Sequence, residues 1–470
     1  MKKSTRIGLG IGIAGLALSV PATAWLLGRE IEAAHVEQFR RFAEQPLLKI
    51  VRHDFERGVF SSRETITFEF GGPLLAEAPR KASTAMPDGL RFTLHNDIRH
   101  GPLPALSTFA AARVDSVFRF EGELQELAAR LFGEQAPLQA RTVYGFSGSG
   151  VATLSSPAAR TTAQSGQDTP ATARVDWGGM QFQVNFERGM ARYTLTGGAP
   201  HLEIQTADGV GVALADLRLS ADQARLIASE PLFYTGSQKF TIGRLQMQHA
   251  AEPDAAILFE QLGYDLTTPV SGDYLDIVAR MAAQTLRIGA QEYGPAHYDF
   301  SLKHLHAPTL ASLHRAANAL YADPAAFAAS QDNPAAILAP LAEPLTELLA
   351  HTPEVSIDRL AFRTPAGKAS LAARARLDQA RREELSDPQR LLGKLDASAE
   401  FSLPEALLAG LGHGQEDQDG NSAPTPRFEQ QLAAASDQGY ITRENGQVRS
   451  RVVFTRGQLT VNGRPFHPGR

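Results

Sequence analysis

The chain has 470 residues, 43% of them apolar, enough to bury one large core or two or three smaller ones. It contains no cysteine, which excludes a disulfide framework, a thiolate metal site and a cysteine nucleophile. Its 46 basic and 51 acidic residues are scattered and leave a net charge of −5, so there is no basic face for nucleic acid.

The chain begins with a short cationic tail, residues 1–6, holding Lys2, Lys3 and Arg6. An apolar run over residues 7–27 follows, carried by Ile7, Leu9, Ile11, Ile13, Leu16, Leu18, Val20, Trp25, Leu26 and Leu27. Its length matches the roughly 20 residues of a bilayer-spanning helix, and cations on its N-terminal side keep that end cytoplasmic. The run predicts a single-pass anchor in the inner membrane, with the bulk of the chain in the periplasm. Ala22-Thr23-Ala24 offers an alternative, cleavage at Ala24 to give a soluble periplasmic protein. The length of the run and the interfacial Trp25 favour the uncleaved anchor. Gly8 and Gly12 have the spacing that lets two membrane helices approach closely, the contact a homodimer would use. Residues 28–45, with Ile31, Val36, Phe39 and Phe42, predict a helical stalk that Pro46 ends.

Residues 46–470 predict a β-rich (α+β) domain, a large, curved, mainly antiparallel sheet with covering helices, divisible into two similar sub-modules. Ile66, Phe68 and Phe70 alternate with Thr65, Thr67 and Glu69; residues 181–186, Tyr193/Leu195 and Leu202/Ile204 repeat that period of two. Such strands bury one face and wet the other. Asp88-Gly89, Asp208-Gly209, Asn445-Gly446 and Asn462-Gly463 supply the positive φ of tight hairpins. The phrase Gly58-Val59-Phe60-Ser61-Ser62 predicts a turn feeding the strand that follows, with Phe60 buried and the serines structural.

A subtler spacing recurs. Val212, Leu214, Leu217, Leu219; Phe240, Ile242, Leu245, Met247; and Val355, Ile357, Leu360, Phe362 each fall at offsets 0, 2, 5 and 7. One extra residue in mid-strand, a β-bulge, puts all four on one face and bends the strand. Apolar strands also run into proline at Pro102, Pro308 and Pro404, where a helix starts at no cost for the missing N–H. Pro334 starts a further helical stretch, broken by Pro340 and Pro344. Residues 155–172 and 412–426 are polar and aperiodic, as loops are.

The chemistry-bearing motifs are few. Gly145 to Gly150 lacks the spacing of a nucleophile elbow and reads as a Gly/Ser turn; Gly367-Lys368 lacks the rest of a phosphate loop. His304 and His306 share a strand face, and His314 could fold back from the following helix, an acceptable but weak ligand pattern. No catalytic residue, cofactor site or metal site is assigned on these grounds.

Several phrases together resemble the YdgA-like family of bacterial envelope proteins: Met1-Lys2-Lys3-Ser4, Trp25-Leu26-Leu27-Gly28, Arg57-Gly58-Val59-Phe60-Ser61-Ser62, His100-Gly101-Pro102-Leu103-Pro104, and the stretch from Gly457 to Gly463. The resemblance implies a membrane-anchored periplasmic protein of Gram-negative bacteria, in a family largely without assigned activity and with no catalytic residues to carry over. The expected function is non-enzymatic: binding of an apolar ligand such as a lipid, or of an envelope protein, on a bent sheet. The alternatives are an envelope hydrolase with an unrecognised site, and a purely structural, dimerising scaffold.

Overall fold

The computed structural model describes residues 48–70, 90–104, 109–161, 174–206, 209–230, 233–322, 334–378, 384, 388–411 and 426–466. The anchor run with Gly8 and Gly12, the stalk, Asp88-Gly89 and most of both polar loops lie outside them. Among the described residues no helix is long and apolar enough to cross a membrane. The fold is β-rich, with a large open antiparallel sheet and few helices. The chain divides into two compact units: Met1–Leu202, Leu219–Tyr234 and His314–Leu341 form one; Glu203–Arg218, Thr235–Leu313 and Ala342–Arg470 form the other.

In the first unit, β1 (Leu48–Arg57), β2 (Ser61–Phe70), β3 (Leu90–His100), β4 (Ala112–Phe120), β5 (Leu138–Tyr144) and β6 (Gly150–Ser156) pair in chain order. A short hairpin, β7 (Ala159–Arg160) with β8 (Arg174–Trp177), interrupts the order before β9 (Met180–Phe186), which pairs with β6 and with β10 (Arg192–Gln205). A helix, α1 (Glu123–Phe132), joins β4 to β5. The predicted alternation holds in β2, where Ile66 and Phe68 are buried, as are Ile98 in β3 and Val114 in β4. Phe68 stacks on Phe92 at 5.2 Å, and Phe118 meets Phe92 at 6.1 Å with the rings tilted, the kind of cross-strand pairing that holds a sheet in register.

The expectation for Phe60 is corrected: it is 52% exposed. Gly58 N donates to Ser61 O at 2.9 Å, and a Cβ on Gly58 would sit 2.5 Å from that oxygen. The glycine therefore permits a turn so tight that Val59 and Phe60 stand at its tip. Ser62 is buried, with its Oγ 3.1 Å from His100 Nε2 on the neighbouring strand β3.

β11 (Val210–Arg225) and β12 (Tyr234–His249), like β10, carry residues of both units. In the second unit β12 pairs with β13 (Ile257–Thr267), and β14 (Val270–Ser271) with β15 (Tyr274–Ala283). β13 then pairs with β15 and with β16 (Thr285–Ile288), which pairs with β17 (Gln291–Tyr293). From β15 the order runs to β18 (Ala296–His306), β19 (Glu354–Thr364), β20 (Gly367–Leu377) and β21 (Leu395–Pro404). β22 (Thr442–Glu444) and β21 both pair with β23 (Gln447–Thr455), followed by β24 (Gln458–Val461) and β25 (Arg464–Pro465). The hairpins at Asn445-Gly446 and Asn462-Gly463 have the predicted positive φ at both residues.

The bulge spacing is realised in β19. Its register against β20 slips by one between Ile357 and Leu360, so Val355, Ile357, Leu360 and Phe362 oppose Ala375, Ala373, Leu371 and Ala369. Those partners are every second residue of β20 and hence on one face, which puts the quartet on one face too. In β12 the Gly243–Gln261 position is skipped in the pairing with β13, and Gln261 takes a left-handed φ of 51°. Asp216, between Leu214 and Leu217, has φ 55°.

Helix α2 (Ala307–Ala322) holds Pro308 in its first turn as predicted, whereas α5 (Glu405–Leu411) begins just after Pro404, which ends β21; α4 (Pro388–Lys394) lies between them and α6 (Pro426–Asp437) beyond. The helix α3 (Pro334–Ala350) corrects an expectation, because Pro340 and Pro344 lie inside it without ending it. Each proline removes one backbone donor, and the alanines and leucines around them are strong helix formers.

Candidate functional site

The second unit carries an apolar groove of about 320 Å³ across β19, β20, β21 and β23. Two cross-strand rows build it: Val355–Ala375–Ala397–Phe454 and Ile357–Ala373–Ala399–Val452. The two middle strands contribute four alanines, whereas the flanking strands contribute valine, isoleucine and phenylalanine. With strands about 4.8 Å apart, β19 and β23 are roughly 14 Å apart, so low side chains between tall ones leave a trough. In register beyond the alanines stand Leu371 opposite Phe401 and Leu377 opposite Leu395, the next larger pairs along the same face. Intervening residues of these strands are charged or polar, Arg374 and Arg376 on β20 and Asp396 and Ser398 on β21, the alternation of a sheet with one oily face. Sequence reading found the Val355 and Ile357 wall through the bulge spacing. It missed the floor, because alternating alanine and arginine in β20 carries little apolar signal.

At one end of this unit four rings cluster. Tyr274 stacks on His304 at 4.0 Å between centroids, and His306 stacks on His351 at 3.9 Å. His304 Nδ1 donates to His351 O at 2.8 Å, and the Tyr274 hydroxyl lies 3.2 Å from His351 Nδ1. Thr309 fixes His306, with 2.7 Å between Oγ1 and Nδ1. His304 and His306 thus come together as the spacing implied, but His351 takes the third place. His314 instead faces Asn318, one turn along its own helix, at 3.3 Å. His351 follows α3, 47 residues after His304, a separation that local spacing does not reveal. Among the described residues no group of three or more His, Asp or Glu side chains has the geometry to hold a metal ion.

Burial holds the His351 imidazole below its ordinary value, with His306 and His304 adding to the shift and Glu347 opposing it. Unfolding therefore frees His351 to take up a proton between its lowered folded value and about 6.5, so stability falls as pH drops through that window. The wild-type chain should lose melting temperature between pH 7.5 and 5, and His351→Gln should lose less. Parallel profiles for the two proteins would rule this out.

The first unit holds a buried polar cluster on its core face. Glu64 is 1% and Asn96 6% exposed, and they face each other across β2 and β3. Asn96 Nδ2 donates to Glu64 Oε2 at 2.7 Å, while His53 Nε2 lies 2.8 Å from Oε1. Ser62 Oγ is 3.1 Å from His100 Nε2. Burial pushes the Tyr144 hydroxyl up to about 12, helped by the charge of Glu64. Ser62 and His100 have nucleophile–base spacing, but both are buried, so the pair ties β2 to β3 rather than presenting a nucleophile. Sequence reading missed Glu64, since an acidic residue at an inward strand position breaks the apolar pattern that reveals the rest.

No curated protein matches the chain. Residues 1–469 match a family described as "Bacterial protein of unknown function (DUF945)". With nearly every residue matched, the chain belongs to that family.

Proposed function

We propose that this is an inner-membrane-anchored envelope protein whose second unit binds the hydrocarbon chain of a lipid in the alanine-floored groove. The four-alanine floor between taller walls carries the reading. It leaves about 320 Å³ lined by Val355, Ile357, Val452 and Phe454, the lower end of the size range of ligand sites. No carboxylate or histidine lines it, so no acid–base pair is at hand; Arg374 and Ser398 are the only polar residues along the groove, and the rest of the lining is hydrocarbon. Burying hydrocarbon against it yields about 25 cal/mol per Å² of apolar surface. The basic tail and apolar run at residues 1–27 support placement at the inner membrane, and the resemblance to YdgA-like proteins supports a periplasmic bulk. Gly8 and Gly12 would let two copies pair through the anchor.

The test is a photoactivatable fatty acid supplied to membranes containing the full chain, with crosslinked peptides mapped. Label should fall on β20 and β21. Ala399→Phe, which fills open space rather than a packed core, should lower labelling about tenfold, equivalent to about 1.4 kcal/mol, while leaving the melting temperature within a few degrees. Equal labelling of both proteins would sink the groove as the binding site.

A further inference from the structure

At one end of the first unit's strands, three successive connections carry exposed large apolar side chains. Val59 and Phe60 sit between β1 and β2, Leu103 and Phe109 between β3 and β4, and Phe146 between β5 and β6; Phe109 is 77% exposed. Antiparallel order sets these connections side by side. His100 N donates to Phe60 O at 3.0 Å and Ala111 N to Tyr144 O at 2.8 Å, and the Phe109 and Phe146 rings meet at 5.0 Å. Single exposed apolar residues are ordinary on a protein surface, but a cluster of five along one rim marks a contact surface.

Cations stand beside it. Arg63 lies at the start of β2, and the Arg188 side chain lies over the β5–β6 turn, where a Cβ on Gly148 would be 2.9 Å from its Cγ. Arg63 stands between Glu56 and Asp97, its partners across β1 and β3, and Arg99 and Arg113 are held by Asp97 and Asp115; Arg188 makes no ion pair with a described residue. Protruding aromatic rings next to the unpaired Arg188 guanidinium suit a bilayer interface, with rings at headgroup depth and the arginine on a lipid phosphate. We infer that this rim docks onto an anionic lipid surface. The surface belongs to the first unit and does not depend on the groove of the second.

The absence of cysteine makes the test direct, because any introduced thiol is unique. Ser147→Cys, at the tip of the β5–β6 turn, and Arg119→Cys, at the other end of β4, are each labelled with an environment-sensitive dye in the full chain. Both proteins are reconstituted into vesicles of phosphatidylcholine with or without phosphatidylglycerol. The Ser147 label should shift to the blue and become several-fold less accessible to an aqueous quencher on phosphatidylglycerol vesicles only, with no change at Arg119. Phe109→Ser combined with Arg188→Glu should return the Ser147 label to aqueous behaviour with the β-sheet circular dichroism intact. Equal quencher access at both sites on anionic vesicles overturns the proposal. So does a Ser147 shift that persists in detergent without lipid and grows with protein concentration, which would assign the rim to a second copy of the chain. Fatty-acid labelling of the groove should be unchanged by the rim variant, so failure of one site leaves the other standing.

Discussion

Glu64→Ala is expected to destabilise the protein by about 3–5 kcal/mol, a large part of the roughly 5–15 kcal/mol that holds a typical domain. The carboxylate is fully enclosed, and it accepts from Asn96 Nδ2 and bonds His53 Nε2. Removing it leaves the Asn96 amide buried without its acceptor, while Asn96 Oδ1 already has no partner in the structure. The cost is the desolvation of groups left behind, which exceeds the net worth of the bonds themselves. Glu69→Ala, five residues along the same strand and paired only at the surface with Arg91, should cost less than about 1 kcal/mol. Urea unfolding followed by circular dichroism measures both. A Glu64→Ala midpoint indistinguishable from that of Glu69→Ala would mean the cluster contributes nothing.

The second large effect is expected at Ile66, which is completely buried at the centre of the same face. Ile66→Ala removes buried methyl and methylene groups and leaves a cavity that its neighbours fill only in part, at a cost of about 2–5 kcal/mol. Phe60→Ala deletes a larger side chain but should cost within about 0.5 kcal/mol, because Phe60 stands in solvent. Thermal unfolding of the two variants side by side gives the ranking. A larger loss at Phe60 than at Ile66 would overturn the burial assignment along β2.

Much of the strand content was legible, because a period of two is a direct image of the pleat. Ile66 and Phe68 declared their face, and Asn445-Gly446 declared its turn. The bulged quartet of β19 was legible as well, since an odd step in an otherwise alternating row has few structural solutions. Three features were hidden for separate physical reasons. The phrase from Gly58 to Ser62 predicts a turn with Phe60 buried, yet the close approach of Gly58 to Ser61 O turns Phe60 outward. Pro340 and Pro344 look like breakers in the sequence, although each costs one hydrogen bond that the surrounding helix tolerates. The groove floor and the enclosed Glu64 depend on which residues face each other across strands, and no window along the chain contains that relation.

Strand order has a consequence for how the protein is made. Most strands pair with the strand immediately before or after them in the chain, so few of the sheet's pairings wait for a distant segment. Closing short loops costs little entropy, and low contact order favours quick assembly. A chain that emerges gradually from a ribosome or a translocation pore can therefore add one hairpin at a time to a growing template. Only the edge strand of the moment is left unpaired, and the next segment covers it. For a β-rich protein of this length, that sequential zippering shortens the interval in which open edges could recruit the wrong partner.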